Sequence, residues 1–492
     1  MSRKTHLLRH LLIGVIIGVG ILPALQPLFS GQLFGADGLL HFHRLVQLNR
    51  AVRDGILYPR WLPDLGYGFG FPLFNYYAPL SYYLLLPLCW LGLPAQTALL
   101  IGFALALWAL AVAVYLWGQD LFGERGGVVA AFAVVYGPYI LHDVYRRGGL
   151  ASLWALVWLT LTAWAARRAM ARNDIGPLVG TTLGCAALML THNVTALMGI
   201  PLLVGYIFFL TWLYGLRAVV RPLLALALGM GLSAFFWLPA LLEQNFVHIH
   251  QLYLPRDFDY RYNFISLDQL LTPPRPVDPA LINLVVPVSL GWVPLGLALL
   301  GWGPVGAVLP REVRAHRWAL SLAVLGLALM TLPVSLPLWD RLPPLRFAQF
   351  PWRFLAPATL TLALLAGWGA AVLMKRAQWI GPLIPLGMVL FALTWLYPLF
   401  HHSQKDPLPP DQIRYEAESG QLGATAAGDY LPRWVQERPS PNALLPLYEA
   451  AAPDYIIPRL DPASLPAGAR VLEAEYGLTR ARIVVESPEP FR

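Results

Sequence analysis

Long apolar segments alternate with short polar stretches from residue 11 to residue 400. Their lengths suit the roughly 20 residues with which a helix crosses a bilayer core while satisfying its own backbone hydrogen bonds. The pattern predicts an all-α polytopic membrane protein with about 11 transmembrane helices. The predicted spans lie at about residues 11–29, 95–117, 127–141, 150–166, 176–191, 194–214, 222–242, 284–309, 318–336, 354–374 and 379–400.

The apolar segment at residues 76–93 decides the topology. If it is a re-entrant or interfacial helix, the basic loops fall on the side of the basic N-terminus, as the positive-inside rule requires. If it crosses the membrane, all of those loops move outside. Pro72, Pro79 and Pro87 favour a broken helix that does not cross. We therefore predict a cytoplasmic N-terminus and an extracytoplasmic C-terminus, with these residues on the cytoplasmic side: Arg125, Arg167, Arg168, Arg172, Arg217, Arg221, Arg311, Arg314, Arg317, Lys375 and Arg376.

This topology brings several polar stretches together on the outer face. His192 and Asn193 join them, because they interrupt an apolar stretch at the outer end of one span and the start of the next. Polar residues in such a place are costly and usually face a cavity or a partner. The other outer stretches are residues 30–75, 142–149, 243–283 and 337–353.

The last ninety or so residues are charged and rich in proline. Period-two patterns at residues 469–475 and 481–486 predict two strands there. We expect a transmembrane domain at residues 1–400, whose first outer loop is residues 30–75. A small α/β or β-rich extracytoplasmic domain is expected to follow at residues 401–492.

Residues 36–54 predict an amphipathic helix in the first outer loop, ended by Gly55. Asp37 lies near the N-terminus of this helix, where a carboxylate is electrostatically favoured. His41 and Arg44 follow at i+4 and i+7 on the same face. The helix can therefore aim an acid, an imidazole and a guanidinium at one cavity. The alternative is that Asp37 only caps the helix.

Composition narrows the possible functions. The chain is 57% hydrophobic and 13% charged, and it carries 18 Trp and 21 Tyr, residues that anchor at membrane interfaces. The net charge of +8 comes from short basic clusters between apolar segments, which act as topology signals rather than as a nucleic-acid surface. Cys89 and Cys185 lie in apolar segments, which argues against a disulfide framework or a cysteine metal site. The sequence has no GxxxxGKS or GxxxxGKT loop, so direct ATP hydrolysis is not expected.

Short motifs run along nearly the whole chain: residues 35–43 (GADGLLHFH), 58–61 (YPRW), 66–70 (GYGFG), 72–79 (PLFNYYAP), 145–148 (YRRG), 191–193 (THN), 235–240 (FFWLPA) with Glu243, 349–354 (QFPWRF) and 428–432 (GDYLP). Together they resemble the bacterial membrane proteins labelled 6-pyruvoyl-tetrahydropterin-synthase-related. The overall plan is similar to the GT-C superfamily of membrane glycosyltransferases. Relatives of this kind continue into a fuller β-rich outer domain, so the end of this chain is expected to be minimal or truncated.

The resemblance implies that Asp37 is the general base for moving a sugar from a polyprenyl-phosphate carrier to an extracytoplasmic acceptor. An acceptor hydroxyl is a poor nucleophile until a positioned carboxylate takes its proton. The leaving lipid phosphate needs cationic or hydrogen-bonding partners, and arginine suits bidentate phosphate contact. The expected substrate-binding residues are His41, Arg44, Tyr76, Arg146, Arg147, His192, Asn193, Glu243 and Arg353.

Each of these residues also has a plain structural interpretation. Arg146 and Arg147 can be lipid-headgroup contacts, and His192 can hydrogen-bond a neighbouring span. Glu243 can cap a helix end or pair with one of the arginines. The aromatic residues can stack on a sugar ring, but anchoring at the interface is the favoured role for Tyr76, Tyr77 and Trp352.

Two His-x-His pairs, at residues 41–43 and 248–250, raise the possibility of a metal site. Residues two apart on a helix do not share a face, however, so we expect neither a metal nor another cofactor. Where GT-C enzymes carry a second acid in the first outer loop, this sequence offers Asp54 or Asp64 without a clear motif. The predicted catalytic group therefore stays incomplete.

Two hypotheses from different classes remain. The first is a glycosyltransferase of the bacterial plasma membrane that takes sugar from a lipid-linked donor in the membrane lipid and modifies a cell-surface lipid or polymer outside the membrane. It predicts one cavity that opens to the outer leaflet and is lined by Asp37, Arg146, His192 and Arg353. A non-enzymatic transporter, flippase or assembly factor for envelope glycolipids predicts a path accessible from both sides. Polar residues cluster at the outer ends of the spans and the cytoplasmic loops are short, which favours the first hypothesis.

Overall fold

The computed structural model describes residues 3–30, 35–172, 174–252, 256–273, 288–303, 309–393, 396, 406–425, 428–451, 457–458, 460, 462–478 and 480–490. Most of these residues are helical, as the apolar pattern predicts. Up to residue 191 the α-helices are α1 (Arg3–Gly20), α2 (Leu22–Leu25), α3 (Gly35–Arg53), α4 (Leu73–Tyr76), α5 (Leu80–Tyr83), α6 (Leu86–Trp90), α7 (Ala95–Phe122), α8 (Glu124–Val135), α9 (Pro138–Leu141), α10 (Leu150–Arg172) and α11 (Ile175–Thr191).

The second half of the chain continues in the same way. Its α-helices are α12 (Asn193–Tyr214), α13 (Val220–Leu232), α14 (Ala234–Leu242), α15 (Leu267–Leu271), α16 (Trp292–Leu300), α17 (Arg311–Leu329), α18 (Leu336–Arg341), α19 (Leu355–Arg376), α20 (Leu383–Leu393), α21 (Pro409–Ser419) and α22 (Leu445–Ala450). Two antiparallel strands follow, β1 (Arg470–Tyr476) and β2 (Ala481–Glu486), which confirms both predicted strands.

Helices α7, α10, α12 and the helical stretch Pro351–Arg376 are each long and apolar enough to cross a membrane. Four further pairs of helices, bent by 45° to 88° at a short break, raise the number of spans in the described part of the chain to as many as eight. The apolar helices at residues 80–90, 175–191 and 378–393 are shorter. The predicted segment at residues 284–309 is described only in part, through α16, so eleven crossings stay a prediction.

Helices α7, α8, α10 and α19 pack together at the centre of the bundle. Glycines allow this close packing. A Cβ added at Gly367 of α19 would lie 2.3 Å from the carbonyl oxygen of Gly126 in α8. One added at Gly127 would lie 2.8 Å from the carbonyl oxygen of Tyr115 in α7. In lipid, helix association depends on such close approach, because apolar burial alone gives little drive between helices.

The span predicted at residues 222–242 is not straight. Helices α13 and α14 meet at 68° around Ser233, whose hydroxyl donates a 3.1 Å hydrogen bond to the carbonyl oxygen of Gly229. Such back-bonding by serine bends helices, since it competes with the regular backbone bond. The bend carries Trp237 and Leu241 to the wall of the cavity described below.

The apolar segment at residues 76–93, which decides the predicted topology, is broken into short helices, as its prolines predict. Pro79 precedes α5 and Pro87 lies in the first turn of α6. The prediction that this segment does not cross the membrane still stands as a prediction.

Residues 409–425 and 428–432, which we name the clasp segment, pack against α3 and the turn that contains Gly66 and Tyr67. Glu416 is fully buried and accepts hydrogen bonds from the backbone N–H groups of Gly66, Tyr67 and Gly423 at 3.1, 2.6 and 3.0 Å. Arg44 of α3 donates to the carbonyl oxygen of Ala424 through Nε at 2.9 Å and Nη2 at 2.6 Å. The bonds that involve Gly66, Tyr67 and Arg44 join segments more than 300 residues apart in the sequence.

Candidate functional site

A cavity of about 980 Å³ lies between helix α3, the bent α13–α14 pair and the clasp segment. Four arginines and two aspartates line it, so its polar part is positively charged overall. The charged residues are Asp37, Arg44, Arg146, Arg147, Arg353 and Asp429. Asp37, Arg146, His192 and Arg353, which the glycosyltransferase hypothesis places around one cavity, do line this one.

Helix α3 brings Asp37 to the cavity from its first turn. The helix runs over Gly35–Arg53, close to the predicted residues 36–54, and Gly55 follows it at a φ of +84°. Leu45 and Leu48 are fully buried and fix the orientation of the helix. The Asp37 side chain is 32% exposed, and its Oδ2 lies 3.6 Å from Nε of Arg147. Asp37 therefore faces an arginine and not only the end of its own helix.

A π-helix at His142–Arg147 positions Arg147. Its Nη1 donates a 2.7 Å hydrogen bond to Oδ1 of Asp143, while Ser152 of α10 donates to Asp143 Oδ2 at 2.5 Å. Gly148 ends the π-helix in the left-handed region, at a φ of 74°, which suits glycine. A π-helix turn is rare and is frequently found at functional sites.

Arg353 reaches the cavity from the 3-10 turn Pro351–Phe354, which leads into α19. Its Nη1 donates to the carbonyl oxygen of Ala348 at 2.7 Å and to Oε1 of Gln349 at 3.1 Å. Its Nε is buried and finds no hydrogen-bond partner among the described residues. A buried donor without a partner is costly, so this atom is suited to meet an anionic ligand.

His41 differs from its prediction, because it lies behind the cavity wall and does not line the cavity. Its Nδ1 forms a 2.7 Å hydrogen bond with the hydroxyl of Tyr82, and the ring is 2% exposed. Burial, and then the charges of Arg44 and Arg147, hold the pKa of His41 well below its usual range. The imidazole is therefore a neutral group that supports α3.

Glu243 also differs from its prediction. It follows α14, is not among the described residues that line the cavity, and accepts a 2.8 Å hydrogen bond from Nδ2 of Asn75. The amide of Asn75 is thus its partner in place of an arginine, and the interaction ties α14 to α4. Glu243 therefore helps to hold the cavity wall from outside.

His192 and Asn193 line the cavity where α11 ends and α12 begins. Nδ1 of His192 lies 2.8 Å from the Thr195 hydroxyl and caps α12 by accepting from the Thr195 N–H at 3.3 Å. Nδ2 of Asn193 donates to the carbonyl oxygen of Tyr76 at 2.7 Å. Both side chains therefore have a structural role while they face the cavity.

The remaining wall is largely apolar. Along α12 the lining residues continue from Asn193 to Pro201, which is about 12 Å at the rise of an α-helix. Helix α14 contributes further lining residues. Polar groups thus stand at the start of α12 and apolar groups follow along it. This apolar wall consists of Val194, Leu197, Ile200, Pro201, Trp237, Ala240 and Leu241.

Asp429 is a lining residue that the sequence analysis did not select. Its side chain is 5% exposed, and Oδ1 has no hydrogen-bond partner in the described part of the chain. Burial raises the pKa of Asp429 to about 6, against the lowering effect of Arg44. The signal that could have found it is the GDYLP motif at residues 428–432, which enters the resemblance without a role.

The two acids considered in the first outer loop lie elsewhere. Asp64 is buried in an ion pair with Arg50, at 2.6 Å, and Asp54 is exposed after the end of α3. Among the described residues, no group of three or more His, Cys, Asp or Glu side chains is arranged to hold a metal ion.

Comparison with solved structures gives matches of low similarity. ArnT from Cupriavidus metallidurans bound to undecaprenyl phosphate is 13% identical, with a TM-score of 0.48 and coverage of 87% of this chain and 85% of ArnT. The arabinofuranosyltransferase AftD from Mycobacteria is 17% identical, with a TM-score of 0.48 and coverage of 85% of this chain and 29% of AftD. The Archaeoglobus fulgidus oligosaccharyltransferase is 12% identical, with a TM-score of 0.40 and coverage of 87% of this chain and 58% of that protein. Likenesses at this level decide neither activity nor substrate.

Sequence comparison gives the family. An uncharacterized protein of Lactococcus lactis subsp. cremoris (strain MG1363) is 23% identical over 240 residues, which span 46% of this chain and 39% of that protein. The model of the 6-pyruvoyl-tetrahydropterin synthase related domain, described as a membrane protein, matches residues 74–400, more than half of the chain. The chain is thus a member of the 6-pyruvoyl-tetrahydropterin synthase related family of membrane proteins, as its motifs predicted.

Proposed function

We propose that this protein is a membrane glycosyltransferase that moves a sugar from a polyprenyl-phosphate donor to an acceptor hydroxyl on the outer side of the bacterial plasma membrane. The observation that carries the proposal is the cavity itself. It combines a carboxylate, an arginine with a free buried donor and an apolar wall. These are the groups that a base, a lipid phosphate and a polyprenyl chain each require.

The donor phosphate binds to Arg147 and Arg353, with Arg146 at the exposed side of the cavity. Asp143 and Ala348 hold the two inner guanidinium groups in advance, so little is lost in ordering them when the phosphate arrives. The apolar wall accepts the first isoprene units of the carrier. Arginine also stabilises the charge that develops on the leaving phosphate, which lowers the barrier to transfer.

Asp37 is the general base. Its carboxylate takes the proton of the acceptor hydroxyl while the acceptor oxygen forms a bond to the anomeric carbon of the sugar. The bond from that carbon to the phosphate oxygen breaks, and its electron pair leaves with the polyprenyl phosphate. Arg147, 3.6 Å from Asp37, keeps the carboxylate next to the phosphate and so next to the reacting carbon. The protein needs no cofactor for these steps.

A transfer assay tests the proposal. The purified protein, reconstituted in liposomes with labelled polyprenyl-phosphate sugars and a lipid extract as acceptor, is expected to transfer label. Asp37→Asn should lower the rate by at least about 100-fold, the usual contribution of a positioned base. The matched control is Asp54→Asn, the same change at an exposed position just after the same helix, which should retain the wild-type rate.

Two outcomes would contradict the proposal in different ways. Equal turnover by Asp37→Asn and wild type would remove Asp37 from the mechanism. No transfer by wild type from any donor would move the weight to a transporter, flippase or assembly factor for envelope glycolipids.

A further inference from the structure

Local hydrogen bonds and a positive φ shape the backbone just before Asp429 in the clasp segment. Thr425 Oγ1 accepts a 2.9 Å hydrogen bond from the N–H of Gly428 and donates to the carbonyl oxygen of Leu422 at 2.8 Å. Gly428 has a φ of +70°, where a glycine is favoured, and it directly precedes Asp429. Local hydrogen bonds therefore fix the backbone from which the Asp429 side chain projects before any ligand binds.

The carboxylate is buried with one oxygen unused. Asp429 is 95% shielded from solvent, lines the cavity and has no partner for Oδ1 among the described residues. A carboxylate oxygen accepts hydrogen bonds only, so whatever satisfies it must be a donor. Because leaving a buried acceptor unpaired is costly, the position is suited to a ligand that brings such a donor.

Charge decides which kind of donor fits. The positive charge of Arg44 acts on both Asp429 and Asp37, and three more arginines line the same cavity. An ammonium group would meet like charges there, whereas a neutral hydroxyl would not. The charges therefore favour a neutral donor, of which a hydroxyl is the simplest.

An aromatic surface lies beside the acid. Tyr430 follows Asp429 directly and stacks on Tyr76, with ring centroids 5.2 Å apart and planes at 27°. The Tyr76 hydroxyl donates to the carbonyl oxygen of Glu243 at 2.9 Å, which fixes that ring. Both rings line the cavity. A rigid aromatic face next to a hydroxyl acceptor matches the two sides of a sugar ring, its C–H face and its hydroxyl edge.

We propose that Asp429 and the Tyr76–Tyr430 pair form a subsite for a neutral sugar, in which Asp429 Oδ1 accepts a hydrogen bond from a sugar hydroxyl. The inference rests on the proposed function and adds the sugar to it. Arg147 and Arg353 then act at the phosphate, Asp37 acts at the acceptor hydroxyl, and Asp429 acts at a hydroxyl of the sugar that is transferred. In this arrangement the clasp segment is part of the binding site and selects the sugar.

Binding measurements test the subsite apart from transfer. The probes are undecaprenyl phosphate and its derivatives carrying glucose, galactose, mannose or arabinose. Kd is followed by the change in tryptophan fluorescence, to which Trp237 and Trp352 in the cavity wall contribute. Wild type should bind at least one glycosylated lipid more tightly than the bare lipid. Asp429→Asn should weaken binding of that lipid by about tenfold or more and leave the Kd of the bare lipid within about twofold.

A matched control and a stability measurement separate binding from folding. Glu418→Gln removes the same charge from an exposed position on α21 of the clasp segment and should keep the wild-type affinities. Without ligand, Asp429→Asn should unfold at the same or a higher temperature, because it removes a buried charge without a full set of partners. A purely structural Asp429 would instead give a lower unfolding temperature.

The outcomes distinguish the two proposals. If wild type binds the bare lipid but gains nothing from any of the four sugars, or if Asp429→Asn keeps the gain, the sugar subsite is wrong and the phosphate site stands. If wild type binds neither bare nor glycosylated lipid, the proposed function itself is contradicted.

Discussion

Asp143 accepts a 2.7 Å hydrogen bond from Arg147, one turn further along the π-helix, while only 1% of its own side chain is exposed. The acid therefore neutralises and orients the arginine from the protein side. This leaves Nε of the same guanidinium for the cavity. The pair shows how the chain prepares a cation for a ligand without leaving a buried charge uncompensated.

Asp143→Asn should strongly destabilise the protein, because Arg147 would lose its buried counter-charge at 2.7 Å and keep only the more exposed Asp37 at 3.6 Å. Breaking one side of a buried pair costs about 3–5 kcal/mol, so a clear drop in the thermal unfolding temperature in detergent is expected. Glu449→Gln is the control, since it breaks the exposed ion pair with Arg414 and should cost less than about 1 kcal/mol. Equal losses in the two variants would show that Asp143 is not a special anchor.

Arg353→Lys should weaken the binding of undecaprenyl phosphate by about tenfold. Lysine keeps the positive charge but has no second nitrogen to bond the Ala348 carbonyl while another donor meets the phosphate. Tryptophan fluorescence titration with the bare lipid measures the change. Arg341→Lys, at an exposed position, should bind as wild type does. Unchanged affinity in Arg353→Lys would mean that the free Nε of Arg353 does not contact the ligand.

Ionisation of the buried Glu416 carboxyl in the clasp segment should lower the stability of the folded protein as pH rises. Burial raises its pKa to about 7, against the lowering effect of the Tyr67, Gly66 and Gly423 N–H groups. The folded protein thus holds this proton more tightly than the unfolded chain does, so the stabilisation is complete below the ordinary carboxyl pKa. It is lost as pH rises to about 7, for a total of about 3 kcal/mol.

The variant Glu416→Gln isolates this effect. Thermal unfolding of wild type and variant at pH 5 and pH 8 should show wild type losing stability relative to the variant at the higher pH. Buried histidines such as His41 titrate in both proteins, so the difference between the two reports on Glu416. A difference that does not change with pH would place the Glu416 pKa near its ordinary value.

Gly367→Ala should disrupt the packing of α19 on α8. The added Cβ would lie 2.3 Å from the carbonyl oxygen of Gly126, which belongs to the backbone and cannot move aside cheaply. A loss of about 1–3 kcal/mol is expected from such overpacking, measured as a lower unfolding temperature. At Gly326 of α17 an added Cβ meets nothing within 4 Å. Gly326→Ala should therefore be neutral or stabilising, and a similar loss in both variants would refute the packing argument.

Local pattern was enough to predict α3 and the two strands. The apolar positions Leu45 and Leu48 predicted the buried face of α3, and Gly55 predicted its end. The alternation of apolar and polar residues predicted β1 and β2. These signals act over a few residues and depend on burial of one face. The same applies to the apolar helices, whose lengths follow from the bilayer core.

Contacts between distant segments could not be read in this way. Asp429 enters the cavity because Arg44 holds Ala424, and Asp143 binds Arg147 because a π-helix turns both inward. Neither arrangement leaves a periodic signal. His41 was assigned to the cavity by helical spacing, yet the Tyr82 hydroxyl holds it on the other side of the wall. Spacing gives the face of a helix, and the neighbours decide what that face meets.

The bonds from Arg44 to Ala424 also concern the time at which the protein becomes competent during its synthesis. A ribosome delivers the arginine long before the carbonyl that receives it, so every membrane helix can be inserted while this wall of the cavity is still missing. A nascent chain, or one cut short before residue 424, would have a cavity that lacks the wall formed by the clasp segment. The proposed transfer would therefore have to wait until residue 424 has been synthesised and has reached Arg44.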